Sequence, residues 1–233
     1  MNLYHSACGG FEAARHLPEY GLHGHSFQLQ VLHAAAQTDA ALATELHALD
    51  YSALHEQLAQ VHDAALARYL AEQLAPTASL KLRSAPYCGV SIEQGRVLSW
   101  RRFTFEAAHY LPNVPAGHQC GRMHGHSFSV VLWAELEAPN AAQQLAQHWQ
   151  PLHTQLHRQC LNQLDGLPNP TSELLAQWLW QRLQPNLPQL RRVSVHETHS
   201  AGCHFDGQQH RIWKTQRFEA ACTEDGQLLG HSY

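Results

Sequence analysis

The pentapeptide His-Gly-His-Ser-Phe stands at 23–27 and again at 124–128, and each copy follows a Phe-Glu-Ala-Ala at 11–14 and 105–108. A repeat of two separated motifs in one order predicts a tandem duplication. The length of 233 residues suits two small units of roughly 110 residues each. The expected division is 1–99 and 100–233. The copies have diverged readably: from Phe105 to His124 the chain is seven residues longer than from Phe11 to His23, and the added stretch carries Cys120. Two histidines two apart on a strand point to one face, so each copy holds half of a metal site.

Apolar content is ordinary and neither Pro nor Gly is enriched, which predicts a packed fold. A net charge of −4 with histidine neutral supplies no electrostatic reason to expect nucleic acid or an anionic membrane as a partner. The twenty histidines make the charge sensitive to pH near neutrality. No basic segment followed by an apolar stretch opens the chain, and no apolar run approaches the ~18 residues of a membrane span. The six cysteines form no Cys-x-x-Cys pair, so reduced thiols and a cytoplasmic location are expected.

The hydrophobic pattern predicts an α+β fold of order β-β-α-α-β-β, repeated. In the second copy, 100–109 and 126–136 read as strands, and Leu145, Trp149, Leu152, Leu156 and Cys160 recur at helical spacing over 141–164. Asn169 is the expected cap of a second helix with Pro170 in its first position, running to Pro185. Strands over 191–198 and 203–218 follow, the latter broken at Asp206-Gly207. The first copy compresses to strands over 3–16 and 25–35, helices over 40–60 and 63–75, and strands over 79–85 and 90–100. No low-complexity linker separates the copies, so a shared sheet is expected.

His124 and His126 share a strand face, and His109 ends the neighbouring strand. Three imidazoles on adjacent strands with one open position is the ligand set of a catalytic zinc. In the first copy Arg15 takes the place of His109 and His16 points to the other face, so that copy is expected to lack its third ligand. Cys120, in a loop of Gly and His rather than apolar residues, reads as a reactive thiol and not a buried hydrophobe.

The stretches FTFEAAHYLPNVPAGHQCGRMHGHSF (103–128), LNQLDGLPNPTSELLAQWLW (161–180) and VSVHETHSAGC (193–203) resemble the tetrahydropterin synthase family. The resemblance covers nearly all of the second copy and, faintly, the first. It implies two tunnelling-fold units, each a four-stranded antiparallel sheet with two helices on one face, closing with other chains into a barrel as a homo-oligomer. The three-residue gap between Cys120 and His124 resembles the 6-carboxytetrahydropterin synthase branch, which serves 7-deazaguanine and queuosine synthesis. The resemblance further implies Zn2+ on His109, His124 and His126, and a small-molecule pterin substrate, 7,8-dihydroneopterin triphosphate. Cys120 would be the general base, acting as thiolate, with Arg122 and the metal as nearby cations. Glu197 would grip the guanidine-like edge of the pterin through paired charge-assisted hydrogen bonds.

One departure bears on turnover. The family places an Asp-His dyad before Leu-Asn; here the stretch is Leu156-His157-Arg158-Gln159-Cys160-Leu161-Asn162. His157 stands for the Asp and Arg158 for the His. Arg158 stays protonated, which suits triphosphate binding rather than proton transfer, and His157 is left as a displaced base. An ungapped comparison puts Leu66 and Ala67 of the first copy opposite the dyad, Tyr69-Leu70 opposite Cys160-Leu161, and Ser84 opposite Glu197. Three functions follow: a 6-carboxytetrahydropterin synthase of weak or altered activity, a non-catalytic pterin- or purine-binding protein with structural zinc, and a lyase of the 6-pyruvoyl type.

Overall fold

The computed structural model describes residues 5–33, 38–74, 79–224 and 227–232. The first half runs β1 (His5–Leu17), β2 (Gly21–His33), α1 (Thr38–Leu49), β3 (Ser52–Ala53), α2 (Leu54–Gln57), α3 (Asp63–Leu74), β4 (Ser79–Ala85) and β5 (Cys88–Glu93). The second runs β6 (Arg96–His109), β7 (His124–Ala134), α4 (Ala141–Leu156), β8 (Gln159–Cys160), α5 (Ser172–Leu183), β9 (Leu190–Thr198), β10 (Ala201–Phe205) and β11 (His210–Lys214). A separate hairpin, β12 (Glu219–Glu224) and β13 (Gln227–Ser232), follows. The fold is α+β, as expected.

One 11-stranded sheet takes up every strand of both halves, in the order β11-β10-β9-β7-β6-β5-β4-β2-β1-β3, with β8 on β6. All long neighbours are antiparallel; only the two-residue strands β3 and β8 pair in parallel, with β1 and β6 respectively. The shared sheet follows from Gln94-Gly95, both at positive φ (51° and 77°). A two-residue turn of that hand matches strand twist and folds the chain straight back, setting Glu93 opposite Arg96. The expected strand over 90–100 is thus two strands, and the joint between the halves is a hairpin.

Strand alternation decides what is buried. Phe105 and Ala107 on β6 and Phe128, Val130 and Leu132 on β7 turn towards α4 and α5 and join Leu145, Trp149, Leu175 and Leu179 in one cluster. Phe11, Phe27, Leu29 and Val31 do the same against α1 and α3 in a second cluster. The stacked pair Phe105–Phe128 (centroids 5.0 Å apart) has its counterpart in Phe11–Phe27 (4.8 Å). On the opposite sheet face Lys81 Nζ sits over Trp100 and Trp133, and Arg192 makes a two-pronged ion pair with Glu93 across the joint.

Several expected boundaries shift. The helix expected to 164 stops at Leu156. Arg158 takes a left-handed φ of 61° and its N–H donates to the Glu106 carbonyl, so the chain leaves the helix to pair with β6 as β8. The same event ends α1 early: Tyr51 has a φ of 51° and donates to the Glu12 carbonyl. These matched turns correct the ungapped comparison, since the counterparts of His157, Arg158 and Cys160 are Asp50, Tyr51 and Ala53, and not Leu66, Ala67 and Tyr69. The cap of α5 is Thr171, whose side chain accepts from Leu174 N, rather than Asn169. The strand expected over 203–218 is the hairpin β10–β11, and β12–β13 was not foreseen. The expected strand ends at 3–4 and 34–35, and helix residue 75, lie outside the described residues. Among the described residues no helix is long and apolar enough to cross a membrane.

Candidate metal centre

The alternation that buries Phe105 and Ala107 puts His109 inside as well, fully buried at the end of β6. It stands opposite His124 in register. His124 and His126 share the β7 face that carries Phe128, and Glu197 shares the β9 face that carries Val193 and Val195. The donor atoms of His109, His124, His126 and Glu197 all lie within 4.8 Å of one another. The centre is therefore an extension of the apolar core, roofed by the segment leading into α5.

Backbone carbonyls orient the rings. His109 Nδ1 lies 3.0 Å from the Pro170 carbonyl and His124 Nδ1 2.7 Å from the Arg122 carbonyl. A carbonyl only accepts, so both Nδ1 atoms donate, and each neutral ring keeps its Nε2 lone pair for the centre. Asn162 holds the roof: its amide accepts from Tyr110 N (2.9 Å) and donates to the carbonyls of Tyr110 (2.8 Å) and Pro168 (3.2 Å).

At the centre the neutral donor set is in conflict with itself. Glu197 Oε1 is 3.2 Å from Nε2 of both His109 and His126, yet these buried Nε2 atoms have no hydrogen-bond partner. At His109 a lone pair faces a carboxylate. A cation among them resolves the conflict, and three imidazoles fit zinc in type, with a position left for a further ligand. Burial raises the Glu197 carboxyl, and the Ser172 hydroxyl, 3.0 Å from Oε2, is among the groups that act against it and hold it below the ordinary carboxylate value. Burial lowers the His126 imidazole, with Glu197 acting against it, which favours the neutral, metal-binding form.

The other candidate residues surround this centre. Cys120 lies on a three-residue turn, Gln119–Gly121, in the added loop; it is half-buried, its N–H donates to His118 Nδ1 and its carbonyl accepts from Leu111 N. It is not among the four clustered donors. Arg158 and His126 line one open cleft of about 560 Å³ with Glu106, Ser127 and Cys160. His157 points to Glu106 instead: its Nδ1 accepts from Glu106 N (3.3 Å) and its Nε2 is 3.8 Å from the Glu106 carboxylate, which Arg158 Nε also approaches at 3.8 Å. Sequence reasoning missed the supporting roles of Ser172, Asn162 and the Pro170 carbonyl, although all three lie within the quoted 161–180 motif. All five cysteines with described side chains, Cys8, Cys88, Cys120, Cys160 and Cys203, are free thiols.

The first half builds the same place differently. Arg15 is opposite His23 as His109 is opposite His124. Its buried guanidinium reaches His25 Nε2 (2.9 Å), His23 Nε2 (3.4 Å), Asp63 (2.6 Å) and the Val61 carbonyl (3.0 Å). Asp63 in turn accepts from Ser84 Oγ. Ser84 stands where Glu197 stands and Asp63, opening α3, where Ser172 opens α5, so the acid and the hydroxyl have changed places. His16 is exposed on the other face, as expected.

The 6-pyruvoyl tetrahydropterin synthase family model matches residues 99–208. The chain is 30% identical over 118 residues to a 6-carboxy-5,6,7,8-tetrahydropterin synthase of Synechocystis sp., spanning 46% of this chain and 90% of that protein. Among solved structures, a 6-pyruvoyl tetrahydropterin synthase of Caenorhabditis elegans is 16% identical with a TM-score of 0.40, covering 51% of this chain and 95% of that one.

Proposed function

The chain belongs to the 6-pyruvoyl tetrahydropterin synthase family, and from that premise we propose that it is a zinc-dependent enzyme of the 6-carboxytetrahydropterin synthase type, acting on 7,8-dihydroneopterin triphosphate in the cytoplasm to supply 7-deazaguanine and queuosine synthesis. The observation that carries the reading is the buried convergence of His109, His124, His126 and Glu197 with unpartnered Nε2 atoms. Zinc held there supplies Lewis-acid polarisation of substrate hydroxyls. Glu197, oriented by Ser172, accepts the paired N–H donors of the pterin edge. Cys120 takes the proton that leaves the substrate side chain. Arg158, permanently charged, meets the triphosphate from the cleft it shares with His126, and His157 is the remaining base. With water as the second reactant, the products are 6-carboxytetrahydropterin, acetaldehyde and triphosphate.

The chain reads as two tunnelling-fold units, 1–99 and 100–233, that assemble with further copies. Support comes from the two separate hydrophobic clusters, the matched strand registers and the matched turns at Tyr51 and Arg158.

A second reading, a pterin- or purine-binding protein with structural zinc, is favoured by one observation: His157 and Arg158 replace the dyad and are both drawn towards Glu106. Incubating zinc-loaded protein with 7,8-dihydroneopterin triphosphate separates the two. Release of acetaldehyde and triphosphate, abolished in a Cys120→Ala variant that keeps its zinc, supports the enzyme. Tight binding without release supports the binder, and pyruvoyl product without acetaldehyde the 6-pyruvoyl type of lyase.

A further inference from the structure

The motif Phe-Glu-Ala-Ala occurs a third time, at 218–221, and Trp213 precedes it by five residues as Trp100 precedes Phe105. Gly-His-Ser then recurs at 230–232 with an aromatic residue after it, as at 125–127. Backbone registers match this repeat residue for residue. In β12–β13, Glu219 is opposite Ser232, Ala220 opposite His231 and Ala221 opposite Gly230. In β6–β7, Glu106 is opposite Ser127, Ala107 opposite His126 and Ala108 opposite Gly125. The pair β1–β2 repeats it with Glu12–Ser26, Ala13–His25 and Ala14–Gly24.

The joint repeats as well. On β5–β6, Gly89 faces Trp100 and Cys88 faces Arg101; on β10–β11, Gly202 faces Trp213 and Ala201 faces Lys214. Each tryptophan lies on its glycine: a Cβ on Gly89 would be 3.0 Å from Trp100 Cζ2, and one on Gly202 2.7 Å from Trp213 Cζ2. Beyond the paired segment, Arg102 N donates to the Tyr87 carbonyl and Thr215 N to the Ser200 carbonyl, both at 2.7 Å. Strand β11 therefore sits on β10 as the start of β6 sits on β5. Meanwhile the outer edge of β1 pairs only at Ala13 and Ala14, with β3. Among the described residues, His5–Phe11 pairs with no strand on that side, and an open edge is a template for a further strand.

We propose that residues 210–232 are the opening of a third unit, and that β11 closes the β10 edge in cis, so that β1 of a second copy joins β10 only by taking the place of β11. The partner is another copy of this chain, because β1 is the counterpart of both β6 and β11. The proposal rests on the reading of the chain as repeated units, with the second of them ending before His210 rather than at 233, and is independent of the pterin chemistry.

Substitution Trp213→Ala in the full chain weakens the hold of β11 while leaving the cores intact, since among the described residues neither hydrophobic cluster extends past Phe205. Light scattering at matched concentrations should then show at least a doubling of mass relative to the parent. The register places residue 201 opposite residue 7 of the second copy. Ala7→Cys with Ala201→Cys should therefore form a disulfide between chains in the Trp213→Ala background and little in the parent background. A second variant ending at Gln208 should show the same gain in mass. Unchanged mass and no added cross-link in variants that retain the parent's circular dichroism overturn the proposal, as does equal cross-linking in the parent background. Absence of pterin turnover would leave these readouts untouched.

Discussion

Arg15 and His109 occupy one position in two halves of a single sheet, each directly opposite the first histidine of its His-Gly-His. At one place the cation among the imidazoles is covalently attached; at the other, on the reading proposed above, zinc provides it. The guanidinium of Arg15 also satisfies Asp63 and the Val61 carbonyl, so the first half keeps the arrangement of the candidate centre with a cation already built in.

Replacing Arg15 with Ala should therefore destabilise the fold without changing its metal content. Removing one partner of a buried ion pair costs about 3–5 kcal/mol, and the low end applies because Asp63 keeps some contact with water. Chemical denaturation measures the loss, and elemental analysis should find the zinc content of the parent. A fall in zinc would mean that the first half is the metal site.

His109→Ala should do the opposite to the metal. It deletes a ligand held by the Pro170 carbonyl, and zinc per chain should fall from about one towards zero after dialysis. His16→Ala, on the exposed face, should leave it unchanged.

Restoring the dyad should raise turnover. With His157→Asp and Arg158→His combined, a positioned acid–base pair is worth ~10²–10⁴ in rate. The left-handed backbone at 158 accommodates His, which is among the residues enriched there. Steady-state assay of the double variant checks this; unchanged turnover with pterin bound would remove the dyad from the account.

Stability should depend on pH through His204. Burial, with Arg192, His196 and Arg211 nearby and Glu93 acting against them, lowers its imidazole from 6.5 to about 4, while Nδ1 is bound to Ser194 Oγ at 2.8 Å. Between those values the unfolded chain holds a proton that the folded chain does not, so stability falls as pH drops through that window and is fully present above it. His204→Gln should flatten the slope in thermal melts between pH 7.5 and pH 4. Some slope will remain, because His25, His62, His126 and His196 are lowered too.

Much of the centre was legible because it is local. His124 and His126 are two apart, and His109 ends the strand beside them, so alternation and one hairpin bring the three together. Glu197 was legible as a site residue only through the family motif, and its closeness to the imidazoles depends on β9 pairing with β7, a long-range register that no local pattern encodes. The turns at Tyr51 and Arg158 were misread because the helical spacing of Leu152, Leu156 and Cys160 continues past the true end of α4. A left-handed residue and a hydrogen bond to a strand distant in sequence overrule that spacing. The third Phe-Glu-Ala-Ala was open to reading, but without a following His-Gly-His it carried no chemistry to draw notice.

The Gln94-Gly95 reversal has a consequence for assembly. Joining β5 to β6 through two residues makes the pairing of the two halves a step of folding, with an effective concentration set by the turn rather than by protein abundance. Dilution cannot part that seam. Only contacts between chains are left to mass action.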